Sequence, residues 1–213
     1  MINFKHILAI TFTALRGVLF SFLLLKLSGC TTINTDSQAV STDNLFKQNL
    51  QLKNWQLQGK IGIRTANDAI SAYINWQQCG DNYDIRLNGP LGIGSTRLYG
   101  NLHSAVLVRG NGPTGTNNPQ QLLQQQLGWA FPIEDLLFWA KGLPAPSKAT
   151  HISGQSNGFQ QNGWLLNYGK PIKVDTFWLP SKTKAEYIQN DEQTLKLTLI
   201  SRKWHLSPDC EHP

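Results

Sequence analysis

The sequence is short of the features that would fix a function at once. Past Leu25 it has no apolar run near the roughly 20 residues that cross a bilayer as a helix. It has no lysine or arginine run to follow a phosphate backbone, which argues against a nucleic-acid partner. The histidines past residue 29 are His103, His151, His205 and His212. None is spaced with another histidine, a cysteine or a carboxylate as metal ligands usually are. The glycine-rich stretch Gly89-Pro90-Leu91-Gly92-Ile93-Gly94 lacks the Lys-Ser/Thr ending of a phosphate loop. The adjacent acids Glu134 and Asp135 point to different sides of a helix and read as partners of its dipole, not as an acid/base pair. No repeat, low-complexity tract or second domain is visible.

What is present begins with the first 30 residues. Lys5 and Arg16 precede the apolar run from Gly17 to Leu25, and small Ser28-Gly29 precede Cys30. Basic start, apolar core and small residues at the cut make a secretory signal. A cysteine directly after the small pair resembles the lipobox of bacterial lipoproteins. That resemblance implies a diacylglycerol on the Cys30 sulfur, cleavage just before it and acylation of the new amino group. A plain secretory signal or one membrane helix is the alternative, but the apolar core is short and closely flanked by Arg16 and Lys26. Thr31 follows rather than aspartate, and the usual sorting rule of such lipoproteins then implies the outer membrane. The formal charge of +6 shrinks without residues 1–29, which hold three basic side chains and no acid, leaving +3. Cys79 and Cys210 remain, and outside the cytoplasm they could pair. The sequence leaves open whether they come within bonding distance.

Residues 30–50, polar and rich in Ser, Thr, Asn, Asp and Gln, read as a lipidated tether. The body is expected over 51–207, with a tail over 208–213. From Trp55 a period of two appears: Trp55, Leu57, Gly59, Ile61 and Ile63 alternate with polar residues. The runs Ile70–Trp76, Tyr83–Leu87, Ser95–Tyr99 and Ala105–Arg109 continue it, and the glycine-rich 110–115 breaks it. The period then lengthens. Pro119 opens a helix over 120–127 with Asn117 or Asn118 as cap, and Pro132 opens another over 133–141 that Gly142 stops. Strand texture returns at 151–153, 164–168, 176–179, 185–189, 195–200 and 202–206. About ten or eleven short strands with tight turns predict one large, strongly curved antiparallel sheet or an open barrel. One curved sheet has too few layers to fill its own concave side, so the two helices or a ligand would cover it.

One catalytic pattern matches on paper. Gly154-Gln155-Ser156-Asn157-Gly158 fits G-x-S-x-G, with Asp175 and His205 following in hydrolase order. That motif needs a strand-turn-helix setting, whereas strand texture follows here, so no enzyme is expected.

The likeness to a family runs from about Trp55 to Trp204. It rests on Trp76-Gln77-Gln78, Pro90-Leu91-Gly92 and the insert Leu127-Gly128-Trp129 with Pro132, Leu136, Trp139 and Gly142-Leu143-Pro144. Gln161-Asn162-Gly163-Trp164, Leu179-Pro180 and Trp204 add to it. In this order, behind a lipobox, these elements resemble the LolB family of outer-membrane lipoproteins. The resemblance implies a half-open antiparallel barrel with a helical lid over an apolar cavity. It implies a monomer, lipid-anchored at the periplasmic face of the outer membrane, that takes client lipoproteins from the carrier LolA by their acyl chains and inserts them in that membrane. No cofactor is expected beyond the N-acyl and S-diacylglycerol groups on Cys30. Leu91, joined by Ile93, matches the family's membrane-facing loop. Ile74, Trp76, Leu87 and Leu98 are expected in the acyl-chain cavity, under Leu136, Leu137 and Trp139. A lipoprotein that binds another apolar ligand, or a structural one, is the competing reading.

Overall fold

The computed structural model describes residues 46–89, 94–110, 112–127, 131–147, 149–151, 157–189 and 193–211. Thirteen strands and two α-helices are described. They are β1 (Asn54–Arg64), β2 (Ala69–Cys79), β3 (Asn82–Asn88), β4 (Ser95–Gly100), β5 (Ala105–Arg109) and β6 (Gly112–Thr116), then α1 (Pro119–Leu127) and α2 (Ile133–Trp139). There follow β7 (Ala149–His151), β8 (Gly158–Gln161), β9 (Trp164–Tyr168), β10 (Pro171–Val174), β11 (Phe177–Pro180), β12 (Lys182–Gln189) and β13 (Gln193–His205). Eleven strands form one antiparallel sheet in the order β6-β5-β4-β3-β2-β1-β13-β12-β9-β8-β7. It does not close, since β6 and β7 are its two edges, and β10 pairs only with β11.

Sheet alternation decides which side chains meet. Trp55, Leu57, Ile61 and Ile63 of β1 share a face with Trp76, Ile74 and Ile70 of β2 and with Trp204, Leu199 and Leu197 of β13. Three indoles anchor the centre, with Trp55 at 5.0 Å from Trp76 and 5.4 Å from Trp204, ring to ring. The helices supply the second layer on this face, through buried Leu122, Leu123, Ile133 and Leu136. The Asn118 side chain caps α1 by accepting from the Gln121 amide at 2.9 Å, and Gly142, with φ 82°, follows the end of α2.

Several expectations need correction. The body starts earlier than residue 51: Phe46 is buried, and a 3₁₀ turn, Gln48–Gln51, is held by buried Asn49, whose Nδ2 donates to the carbonyls of Lys141 and of Trp178 in β11. Phe46 reaches the core because its ring meets Tyr168 at 5.6 Å. The glycine-rich 110–115 was expected to break the pattern, yet β6 forms there. Pro113 is tolerated because β6 is an edge, paired on one side only. β8 and β10 were not expected as strands. The two runs 195–200 and 202–206 are one strand, β13, interrupted by a bulge: Gln58 faces Lys203, Gly59 faces Ser201, and Arg202 is the extra residue.

The tail is not loose up to Glu211. Cys79 and Cys210 form a disulfide with Cα atoms 5.7 Å apart, and Gln77 Nε2 donates to the Asp209 carbonyl at 2.6 Å. The bridge spans 131 residues, so it removes much of the unfolded chain's freedom. Reduction, or Cys79→Ser with Cys210→Ser, should cost about 2–4 kcal/mol. Urea unfolding with and without reductant checks this, and superimposable curves would refute it.

Candidate apolar pocket

One apolar pocket lies between the sheet and the helices. Its floor is Ile61, Ile63, Ile74, Trp76, Ile85, Leu87, Thr96, Leu98 and Leu107, and its roof is Leu123, Phe131 and Leu136. Alternation brings the floor together, since Ile74 pairs with Leu87, Trp76 with Ile85, Leu87 with Thr96 and Leu98 with Leu107. Among the described lining residues all but Thr96 are apolar or aromatic, so the site suits hydrocarbon. The cavity measures about 50 Å³. Apolar surface continues past it: Ile70, cross-strand from Ile63 on the same face, is 49 % exposed.

Five residues expected at this site are here: Ile74, Trp76, Leu87, Leu98 and Leu136. Leu137 and Trp139 are not in the lining. A helix turns about 100° per residue, so Leu137 points away from Leu136. Trp139 is drawn the other way, where its ring lies 5.8 Å from Trp164 and its Nε1–H donates to Gln161 Oε1 at 2.9 Å. Ile61, Ile63, Ile85 and Leu107 could have been named from the same alternation. Phe131 had no such signal. Cys30, Leu91, Ile93 and Ser156 lie outside the described residues. The flanks of the G-x-S-x-G stretch are strands β7 and β8, not a strand and a helix. Among the described residues no cluster of three or more His, Cys, Asp or Glu could hold a metal.

The profile of the family described as outer membrane lipoprotein LolB matches residues 53–204. The chain belongs to the LolB family. Its curated relatives include the outer-membrane lipoprotein LolB of Pseudomonas syringae pv. syringae, 37% identical over 89% of this chain and 96% of that one. Those of Chromohalobacter salexigens and Pseudomonas aeruginosa are 38% identical over 73% of this chain and 72% of the relative, and 35% over 89% and 96%. Among solved structures, a LolA superfamily protein from Nitrosomonas europaea has a TM-score of 0.47 and 10% identity, covering 80% of this chain and 93% of its own. As a LolB-family member the chain is an outer-membrane lipoprotein involved in lipoprotein transport.

In this LolB-family chain the segment after α2 is fastened by two buried polar groups that the sequence did not announce. Gln161 is one: Oε1 accepts from Trp139 and from the Ala145 amide at 2.8 Å, and Nε2 donates to the carbonyls of Ala145 at 2.9 Å and Ser147 at 2.7 Å. Lys141 is the other. Its Nζ donates to the Leu52 carbonyl at 3.1 Å, while its own carbonyl accepts from Asn49 Nδ2 at 2.8 Å. Burial, with nearby Lys53 adding, pushes its pKa down from 10.5 to about 8. Below pH 8 both folded and unfolded chains hold this proton, and the burial penalty is present in full. Between pH 8 and 10.5 only the unfolded chain holds it, so stability rises with pH. Tyr83 acts the other way: burial first, then Glu134, raises its pKa to about 12, so stability falls above pH 10. Urea midpoints should therefore climb from pH 8 to about 10, worth roughly 2 kcal/mol, and then decline. In Lys141→Met the climb should vanish; a climb that survives there would refute the assignment.

Proposed function

We propose that this LolB-family protein receives lipoproteins from the periplasmic carrier LolA by taking their acyl chains into the pocket, then places them in the outer membrane. The observation that carries the reading is the predominantly apolar site between sheet and helices, with exposed Ile70 on the same sheet face. No covalent step is needed. Each CH₂ of an acyl chain moved into water costs about 0.8 kcal/mol, so a carrier-to-pocket handover avoids a prohibitive intermediate. The cavity of about 50 Å³ is far below the roughly 300–1,000 Å³ of ligand pockets, so acceptance requires Leu123, Phe131 and Leu136 to move off the floor. The body works as a monomer at the periplasmic face, held by the N-acyl and S-diacylglycerol groups of Cys30, and uses no cofactor or metal.

Carrier loaded with a labelled lipoprotein, mixed with this protein, should lose the label to it. Retention of all label on the carrier would overturn the reading. Leu91, with Ile93, is assigned to the membrane-facing loop. Burying one leucine in the bilayer contributes about 1.5–3 kcal/mol, enough to bias how the mouth meets the membrane but not to anchor the body. A carboxylate resists entering hydrocarbon, so Leu91→Glu should leave folding and acceptance nearly intact and slow release into liposomes about tenfold or more. Equal losses of acceptance and release would place Leu91 in the cavity or core instead.

A further inference from the structure

The face of the sheet turned away from the pocket is predominantly basic across its four central strands. β2, β1, β13 and β12 lie side by side in that order. β1 brings Lys60 and Arg64, β12 brings Lys182 and Lys184, and β13 brings Lys196, Arg202 and Lys203. Glu186 is the only carboxylate in these four strands, and it holds Lys196 at 3.2 Å. Register lays the cations out as a lattice. Tyr73, Lys60, Ile200 and Lys182 make one row across the four strands, and Arg64, Lys196 and Glu186 make another. The bulge in β13 leaves Arg202 and Lys203 exposed side by side. Among these cations stand two exposed apolar side chains, Tyr73 at 51 % and Ile200 at 39 %. Lys60 Nζ lies 5.0 Å from the Tyr73 ring centre.

We propose that this face docks the body on an anionic phospholipid surface, lysines against the phosphates and Tyr73 and Ile200 at headgroup level. Three observations select a lipid surface. The cations are spread over three adjacent strands, β1, β13 and β12, which lie about 4.8 Å apart, rather than gathered round one point, so they match many headgroups and no single anion. A half-exposed tyrosine beside the Lys60 side chain has the apolar body and polar tip that suit a membrane interface. Charge is complementary, since each lysine held at an anionic surface strengthens binding about fivefold. The inference rests on the proposed anchor at Cys30, from which Phe46 can stand at most about 55 Å away along the chain. A body docked this way turns its pocket away from the bilayer, so receiving and delivering a client use two orientations.

The test uses the mature chain from Thr31, which lacks the lipid but retains the whole core cluster, Phe46 to Trp204. Co-sedimentation is measured with vesicles of phosphatidylcholine alone and with about 30% phosphatidylglycerol. Lys60→Gln/Lys182→Gln/Lys184→Gln is compared with Lys53→Gln/Lys170→Gln/Lys173→Gln, which removes the same charge elsewhere. The wild type should bind the anionic vesicles at least tenfold more tightly than the neutral ones, and lose this in high salt. The first triple variant should lose ten- to hundredfold, the second less than threefold. Equal losses would mean that net charge alone acts, and no preference for anionic vesicles would mean no lipid site; either overturns the proposal. So does wild-type indifference to vesicles joined to weaker LolA binding by the first variant, which would make the face a protein contact. Acceptance of a labelled lipoprotein in solution should be unchanged in both variants, and failure there in the wild type would strike the transfer reading instead.

Discussion

Gln161→Leu should cost the fold about 4–6 kcal/mol, because three buried polar groups lose their partner and each such loss costs roughly 1–3. They are the Trp139 Nε1–H, the Ala145 N–H and the Ala145 carbonyl. Leucine fills much of the volume but can neither accept nor donate. Gln161 itself is 1 % exposed, so water cannot replace it without opening the structure. The damage falls where β8 holds the chain that leaves α2, whose Leu136 roofs the pocket. Trp139→Phe removes one donor and leaves Gln161 bound to Ala145, so it should cost about 1–2 kcal/mol. Urea unfolding of the two variants checks the order. Equal small losses would mean that the network around Gln161 does not hold this segment.

Gly59→Ala should be at least as severe, an expected loss of about 4 kcal/mol or more from forced backbone movement in the central strand pair. A Cβ on Gly59 would collide with the carbonyl oxygen of Ile200 and press on Ser201. The collision arises from the bulge, where β13 carries its extra residue Arg202 opposite Gln58 and Gly59. Both strands are fixed on their other edges by β2 and β12, so neither can move alone. Gly62, three residues along the same strand, is the control. Its nearest neighbour beyond the adjacent residues is the Ile70 carbonyl at 4.0 Å, so Gly62→Ala should fold like the wild type. Circular dichroism on heating should separate the two by more than 10 °C; a shared transition would show that the bulge yields to a methyl group.

Periodicity told the sequence reader which residues share a face, because strand geometry alternates side chains whatever the strand packs against. That was enough for Ile74, Trp76, Leu87 and Leu98 to be placed together before any contact was known. The helix boundaries were equally local: proline opens both helices, and Gly142 follows the second. The lipobox around Cys30 and the order of motifs from Trp76 to Trp204 gave the family.

Local sequence did not determine β6, β8 or β10, whose glycine, proline and polar residues carry little strand propensity and are held by pairing with a neighbour. Nor did it determine the roles of Gln161 and Lys141, since burying a glutamine or a lysine depends on partners up to 92 residues away. The same holds for Trp139, which helix periodicity alone left free to face the pocket or β9. The Cys79–Cys210 pairing is likewise tertiary: 131 residues separate the cysteines, and only the fold brings their Cα atoms to 5.7 Å. What the sequence by itself determined was periodicity, breakers and the processing signal, all set by neighbours in the chain. What the tertiary structure decided was register, the bulge at Gly59 and the buried polar partners, because those energies exist only once distant strands have met.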